Sequence, residues 1–483
     1  MSDFDTIQPP PPPTPTESVA LRLGLWVQMA PDVAKISTIL ELGPISTTVG
    51  RGADVTHTVL DSWLSRAHFR LSLAEGGLPG QGPWLLEDLD TRNGTLLNGL
   101  RVDRAIVRLG DVIRAGGTVM VLDLGSDPSD EYGLVGASPA MAQIRSQIRH
   151  MGPSVRPVHI TGESGVGKEL VARALHTASG RKGPFLGVNM ANIVASLAES
   201  QLFGHRRGAF SGAQNDQQGA FDVAHAGTLL LDEIAELEPG LQAKLLRVTE
   251  SGEVHRIGDA RPHAVDLRLL TATHRDLAEL AVEGKFRADL YWRIGLSTID
   301  ILPLRERVLD VVPLLEHFLA EAGVTPLRML SQVQSFQSGD AWQAAELVER
   351  FLLYEWPGNV RELREEVRRL ADAMKIRQQK RLDTVIPPLM EACSPRLLNL
   401  VTGQHRVRLD EPRASAATSA EIQRYSGLLS DAEGLGAAIQ QEAQGNVKDF
   451  AERMAAALGR HPGTVRRQIY RVLGTRLAQI RQN

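Results

Sequence analysis

The chain has 483 residues, 43% of them hydrophobic and 23% charged, with a formal net charge of -4. That length exceeds what one hydrophobic core organises, so two to four domains are expected, and the near-neutral charge excludes a chain that binds nucleic acid along its whole length. The single cysteine, Cys393, excludes an internal disulfide and a cysteine-built zinc site and reads as a small buried apolar residue; no apolar run reaches membrane-spanning length, so a cytoplasmic chain is expected.

Residues 1–18 are rich in Pro, Thr, Ser and Asp, with a tract from Pro9 to Pro13. Such a composition buries too little surface to offset chain entropy, so a disordered leader is expected. From 19 to 125 short runs, Leu21–Val27, Lys35–Leu40, Phe69–Leu73 and Val119–Leu124, alternate with Gly, Pro, Asn and Asp clusters, the spacing of an all-β sandwich. A polar linker covers 126–133. From 134 to 375 apolar strands are followed by longer helical stretches, the rhythm of an α/β domain. Beyond Leu304 helical periodicity takes over, through Leu314 and from Glu346 to Met374, as expected of a helical lid. Residues 376–420 read as a linker with one helix at Val385–Cys393, and 421–483 as an all-α end.

Val158–Thr161 reads as a strand feeding Gly162, Glu163, Ser164, Gly165, Val166, Gly167, Lys168 and Glu169, which open a helix through Leu170, Val171 and Leu175. Glycines at that spacing turn backbone N–H groups toward phosphate oxygens, the helix N-terminus adds its positive end, and Lys168 reaches the outer phosphates, so ATP with Mg2+ is the expected ligand. Further on, the apolar strand Thr228–Leu231 ends in Asp232 and Glu233. An acidic pair at a strand end is often solvated punctuation; beside a phosphate loop it supplies one carboxylate, Asp232, for magnesium and a second to orient water.

With these motifs in this order, residues 134–375 resemble the AAA+ domain of bacterial enhancer-binding proteins, the sigma-54-dependent transcription activators. Glu169 stands where the general phosphate-loop motif has Ser or Thr, and in that family Glu is usual. Gly208, Ala209, Phe210, Ser211, Gly212 and Ala213 resemble the surface loop with which the family grips sigma-54. The family has Thr where this chain has Ser211, a change that keeps the hydroxyl. Arg206 and Arg207 stand where the family has Glu then Lys, so Arg206 is either part of a nucleotide-sensing link or a solvated charge on an exposed hairpin.

The same resemblance implies that Asn189 holds the catalytic Glu233, that Thr273 and His274 are sensor I residues at the tip of Leu267–Leu277, and that Arg287 and Arg293 are arginine fingers acting on a neighbouring subunit. Such arginines stabilise charge on the transferring phosphoryl group. Arg361, within Trp356–Leu363, resembles sensor II, and Ile301–Arg307 is a structural family segment. Fingers supplied by a neighbour imply a closed ring, in this family commonly a hexamer.

In the front region Gly50-Arg51, Ser65–His68 and Asp90–Gly99 fall in three loops between strands and together resemble a forkhead-associated (FHA) domain. Phosphothreonine carries nearly two negative charges and three acceptor oxygens, which suits an arginine, a hydroxyl and loop amides at one sandwich edge. Arg51, Ser65, Arg66 and Asn93 are the candidate ligands; Gly94 and Gly99 serve turns, and His68 braces the loop. Control through a serine/threonine kinase follows as the expectation.

At the other end Phe450, Met454 and Leu458 give one helix an apolar face, Gly459 breaks it, and Pro462 begins a second with Val465, Ile469 and Val472 inward. Across 446–483 eight basic residues, among them Lys448, Arg453, Arg471 and Arg476, stand against two acidic ones, a balance of +6 that fits phosphate contacts. The pair resembles a Fis-type helix-turn-helix, with His461, Thr464, Arg466, Arg467 and Arg471 as candidate DNA contacts.

The sequence therefore reads as a multidomain chain, an all-β FHA-like sandwich, an α/β P-loop AAA+ domain with a helical lid, and an all-α helix-turn-helix. Its expected function is to hydrolyse ATP in a ring that remodels the closed complex of sigma-54 RNA polymerase, bound to upstream DNA and regulated by phosphothreonine recognition. Two alternatives share these domains: a phosphopeptide-regulated DNA-binding scaffold, and an AAA+ remodeller of another partner.

Overall fold

A computed structural model describes residues 21–78, 82–126, 129–324, 338–380, Cys393 and seven positions from 428 to 454. By packing, the chain divides into two compact units, 1–153 with 302–403 and 154–301 with 404–483. The stretch from 134 to 375, continuous as a motif series, is thus shared between both units. The expected leader, the Val385–Cys393 helix apart from Cys393 itself, and the helix-turn-helix from Leu458 onward lie outside the described residues.

The first unit begins with β1 (Arg22–Met29), β2 (Ile39–Glu41), β3 (Ser46–Gly50), β4 (His57–Thr58), β5 (Phe69–Leu78), β6 (Gly82–Asp88), β7 (Thr95–Leu97), β8 (Leu100–Val102), β9 (Arg104–Val107), β10 (Asp111–Ala115) and β11 (Thr118–Gly125). They form two sheets, ordered β2-β1-β11-β10-β7-β8 and β4-β3-β5-β6-β9. Leu25, Val27, Val49, Phe69, Leu71, Leu86, Ile113, Met120 and Leu122 fill the space between them. Along β1 and β11 these are alternate residues, as a pleat requires.

Two local details follow from residue chemistry. Asn98 and Gly99 both take positive φ, 50° and 83°, and close the β7–β8 hairpin in two residues, the conformation an Asn-Gly pair favours. The run Lys35–Leu40, expected as a strand, starts instead as a turn: Val33–Lys35 is a short 3-10 helix, Thr38 bonds back to the Lys35 carbonyl through its N–H and its hydroxyl, and pairing with β1 begins at Ile39. Ser37 and Thr38 still reach β1 outside the regular register, with the Ser37 N–H on the Val27 carbonyl at 2.8 Å and the Val27 N–H on the Thr38 carbonyl at 2.9 Å.

A short link leads to α1 (Pro139–Met151), which Ser138 caps through its hydroxyl and which starts on a proline whose missing N–H costs nothing at that position.

In the second unit β12 (Val158–Thr161), β13 (Phe185–Asn189), β14 (Thr228–Asp232), β17 (Arg268–Thr273) and β18 (Thr298–Asp300) make a parallel sheet ordered β13-β14-β17-β12-β18. A small antiparallel pair, β15 (Glu253–Val254) and β16 (His263–Ala264), stands apart from it. The helices are α2 (Lys168–Ser179), α3 (Ala195–Phe203), α4 (Ala220–Val223), α5 (Pro239–Ser251), α6 (Leu277–Val282) and α7 (Ala288–Ile294). β12, β14 and β17 are almost continuously buried, which is how strands covered on both faces read in sequence. The register aligns Asn189 with Asp232, Asp232 with Ala272, and Thr161 with Thr273, so all the strand-end motifs meet along one edge. That edge is where parallel α/β sheets place ligands.

The lid, in the first unit, consists of α8 (Val311–Glu321), α9 (Ser338–Leu353) and α10 (Asn359–Lys380). Trp356 is fully buried between α9 and α10 and donates its indole N–H to the Phe351 carbonyl at 2.9 Å. Arg307 and Asp310, both buried, pair at 3.4 Å; Asp310 also accepts the Ala137 N–H, the Ser138 N–H and the Ser138 hydroxyl, each at 2.8 Å. Four donors around one carboxylate make its burial tolerable. Cys393 is buried, and that burial pushes its thiol up to about 12. The lid packs on the outer face of the six-stranded sheet, where Trp26, Met29, Val112, Val119 and Val121 join Leu309, Leu314, Leu347 and Val348 in one core. Among the described residues no helix is long and apolar enough to cross a membrane.

Candidate functional sites

The phosphate loop follows β12. Gly162 has φ 152° and lies so close to the Ile301 carbonyl that an added Cβ would stand 2.7 Å from it; Gly167, φ 108°, is the N-cap of α2 and has open space where a side chain would be. That open concavity, lined by the first amides of α2, fits a polyphosphate. Lys168 is buried and donates to the Gly162 carbonyl at 3.0 Å and the Glu163 carbonyl at 3.2 Å, which poises its ammonium over the loop. Glu169 is exposed and pairs with Arg173 one turn on at 2.7 Å.

At the end of β14 the Asp232 carboxylate accepts the Glu233 N–H at 3.0 Å. Burial, reinforced by the neighbouring Glu233 and Glu169 carboxylates, pushes the Asp232 carboxyl up, while Lys168 and the Glu233 N–H oppose it. A divalent cation would relieve that destabilised charge, so the donor set fits Mg2+ held by one carboxylate and water. Glu233 adopts a left-handed backbone, φ 51° and ψ 47°. Its Oε2 accepts from the Thr273 hydroxyl at 3.3 Å and from His274 Nδ1 at 2.8 Å.

Asn189 bonds the strand-end aspartate beside it. Its amide Nδ2 donates to Asp232 Oδ2 at 3.3 Å, and its Oδ1 accepts the Ala191 N–H at 2.9 Å; Glu233 is held by Thr273 and His274 instead. The register of β13 against β14 places Asn189 level with Asp232, one residue short of Glu233.

Arg287 and Arg293 are both exposed on the second unit. Arg287 forks onto Asp289 at 2.7 and 3.0 Å, and Arg293 donates to the Thr249 carbonyl at 2.8 and 3.1 Å. Sequence reasoning missed Gln242, which is buried in α5, accepts the Arg287 N–H at 2.8 Å and donates to the Leu237 carbonyl at 2.8 Å. A lone Gln in an amphipathic helix carries no signal that separates it from a surface residue. Arg361 is an exposed residue near the start of α10.

The GAFSGA segment forms the tip of a hairpin. Gly208 N–H bonds the Ala213 carbonyl at 2.8 Å and Ala213 N–H the Phe210 carbonyl at 3.0 Å, leaving Phe210 and Ser211 exposed. Arg206 bridges Asp216 at 2.7 Å and Asp259 at 2.9 Å, and the Asp216 carboxylate also accepts the Arg207 N–H at 2.8 Å. Arg206 is exposed and, through these two carboxylates, ties the base of the hairpin to the 259 turn.

The sandwich edge brings the three front loops together. Arg51 N–H bonds the Ser65 carbonyl at 3.0 Å and Gly52 N–H the Arg66 carbonyl at 2.9 Å. The Arg51 and Arg66 side chains are exposed and have no acidic partner among the described residues. His68 is fully buried, accepts the Ser65 N–H on Nδ1 at 2.9 Å, and therefore donates from Nε2 to the Gly94 carbonyl at 3.2 Å. Burial holds this imidazole below its ordinary value, so it stays neutral as a brace. Asn93 donates from Nδ2 to the Trp63 carbonyl at 2.7 Å. A further brace unmarked in sequence is Asp88. Burial alone would raise its carboxyl, but the Thr91 N–H with the Thr95 and Thr91 hydroxyls holds it below the usual range.

A parallel sheet with a glycine-turned loop and an acidic strand end on one edge defines a P-loop domain of the AAA+ class, and the front region is a β-sandwich with three loops gathered at one edge. Residues 134–300 match the sigma-54 interaction domain, 305–385 the AAA+ ATPase lid domain and 47–116 the FHA domain. The chain therefore carries a sigma-54 interaction domain followed by an AAA+ lid domain, with an FHA domain in front.

Among curated relatives it is 46% identical over 243 residues to the Nif-specific regulatory protein of Herbaspirillum seropedicae, covering 50% of this chain and 43% of that one. It is 46% identical over 243 residues to the transcriptional regulatory protein ZraR of Klebsiella oxytoca, covering 50% and 53%. The Nif-specific regulatory protein of Rhodobacter capsulatus is 39% identical over 329 residues, covering 64% and 55%. The chain spans about half the length of the curated relatives it matches.

Proposed function

We propose that the chain activates sigma-54 RNA polymerase by hydrolysing ATP in a ring of identical subunits, and that phosphothreonine recognition by the front domain regulates it. The observation that carries the reading is the strand-end edge. The Glu233 carboxylate, aimed by Thr273 and His274, stands beside Asp232 and the phosphate loop.

Lys168 and the α2 amides bind the polyphosphate, and Asp232 holds Mg2+. The metal, when bound, offsets charge on the phosphate oxygens. Glu233 orients the attacking water and takes its proton, as a fixed carboxylate at hydrogen-bond reach can. Asn189 steadies Asp232 rather than Glu233. Arg287 and Arg293, exposed and held only by Asp289 and a backbone carbonyl, act on the nucleotide of the neighbouring subunit, which requires a closed ring, a hexamer in the simplest case.

The hairpin bearing Ser211 and Phe210 presses on sigma-54. His461, Thr464, Arg466, Arg467 and Arg471 hold upstream DNA. Arg51, Ser65, Arg66 and Asn93 capture phosphothreonine on a kinase substrate or another subunit.

The deciding experiment is open-complex formation at a sigma-54 promoter in vitro. ATP is expected to give promoter melting and ADP none. Steady hydrolysis without melting at any promoter would point to a remodeller of another partner, and the absence of hydrolysis to a scaffold.

A further inference from the structure

The lid's cover over the sandwich is not purely apolar. Arg114 of β10 is buried, donates from Nε to Glu349 Oε2 in α9 at 2.7 Å, and lies 4.7 Å from the centre of the Trp342 ring. Among the described residues, buried Arg114 Nη1 and Glu349 Oε1 find no hydrogen-bond partner. Burial pushes the Glu349 carboxyl up, against the opposite pull of Arg114. A half-satisfied buried ion pair adds little stability, but it penalises every other arrangement of the two elements.

On its other side Trp342 packs against Trp63, with ring centres 5.5 Å apart and planes at 57°. Trp63 sits in the β4–β5 loop two residues before Ser65. Its carbonyl accepts the Asn93 amide at 2.7 Å, and its N–H bonds Asp61 Oδ1 at 2.9 Å. Asp61 in turn accepts the Gly117 N–H at 2.8 Å and the Thr118 hydroxyl at 3.0 Å. Trp63 therefore touches both the loops that carry the candidate phosphate ligands and the lid helix.

We infer that the phosphothreonine loops and α9 form one coupled element through the Trp63–Trp342 contact, with the Arg114–Glu349 pair fixing its register, so that a bound phosphothreonine peptide alters the lid. This rests on the reading of the front domain as a phosphothreonine reader. The physical step is a competition: a phosphate oxygen that recruits the Asn93 amide takes it from the Trp63 carbonyl, and the loop that carries Trp63 loses one of its tethers. Because coupling between two sites is reciprocal, a change at Trp342 must also be felt at the loops.

The test uses the full chain, a degenerate phosphothreonine peptide library with its unphosphorylated counterpart as control, hydrogen exchange read by mass spectrometry, and steady-state ATP hydrolysis. In the wild type the phosphorylated library is expected to speed exchange across 342–353 and to change hydrolysis by about fivefold or more. Trp342→Ala is expected still to bind the phosphorylated library, with an affinity shifted by about fivefold as a reciprocal coupling of that size requires, and to lose both responses. Glu349→Gln, which keeps the side chain's shape, is the second variant should Trp342→Ala fail to fold, and it should weaken the response.

Without any peptide, Asn93→Ala should speed exchange in α9, and Trp342→Ala should speed it across 61–68. Peptide binding with no change in α9, or with equal responses in wild type and Trp342→Ala, overturns the inference. No peptide binding together with the ligand-free exchange effects would remove the phosphothreonine reading and leave the coupling standing; no peptide binding and no exchange effect would remove both.

Discussion

The two regions proposed to meet phosphate are built from different material. In the second unit the anion site is mostly backbone: a loop shaped by Gly162 and Gly167, the first amides of α2, and one lysine held by loop carbonyls. At the sandwich edge it is mostly side chain, with Arg51, Ser65, Arg66 and Asn93 on three loops stitched by main-chain bonds and by His68. A backbone site concentrates its dependence on few residues, whereas a side-chain site spreads it, so single substitutions should act very differently in the two.

The largest effect is expected at Lys168. Lys168→Ala should lower ATP hydrolysis by about a thousandfold and abolish nucleotide binding, since positioning and charge stabilisation are nearly all that phosphoryl transfer asks of a protein. Retained hydrolysis, followed by phosphate release, would break the contrast outright. Glu233→Gln should come next, with a loss of about 10²–10³ in the rate and ATP binding preserved, which separates proton transfer from binding. Filter binding alongside turnover reads both.

At the sandwich, Arg51→Ala should weaken phosphothreonine peptide binding by about 10–100-fold, the worth of one or two charge-assisted hydrogen bonds, and leave hydrolysis unchanged. Fluorescence anisotropy measures it, and a loss as steep as that of Lys168→Ala would erase the distinction.

The smallest expected effect lies outside both sites. Burial, with the nearby Asp310 adding to it, pushes the Asp123 carboxyl from 3.8 up to about 7. A carboxyl raised on folding contributes stability that is present below its unfolded value and is lost as pH rises through the folded one, so the window runs from about 4 to about 7. Calorimetry should show Asp123→Asn flattening the fall in melting temperature across that window and raising it at pH 8 by about 2–4 °C.

What could be read from sequence follows the same division. Contiguous chemistry is legible: the loop 162–169, the Asp232-Glu233 strand end and the GAFSGA tip each occupy neighbouring positions, because strand, turn and helix N-terminus are adjacent in the chain. Partner choice across elements is not. Nothing local says that Asn189 bonds Asp232 rather than Glu233, or that Arg206 reaches Asp216 and Asp259, because β-register and hairpin closure decide both.

The sandwich itself was visible in its short alternating runs, but β1 and β11 are buried on both faces, and an apolar run cannot tell what covers the second face. The residues expected to contact DNA, from His461 to Arg471, lie outside the described residues, although Phe450 and Met454 before them are helical and fully buried.

The apolar wall shared by Trp26, Val112, Val119 and Val121 with Leu309, Leu314, Leu347 and Val348 bears on how this molecule can be cut. A fragment beginning at 134 would keep every ATPase motif yet bare that wall together with the Glu349 carboxylate, and sticky, self-associating material is the usual fate of such a surface. The ATPase is therefore best studied with its neighbour attached, and a protease that clips the 126–133 link in the intact chain should leave two pieces that still travel together.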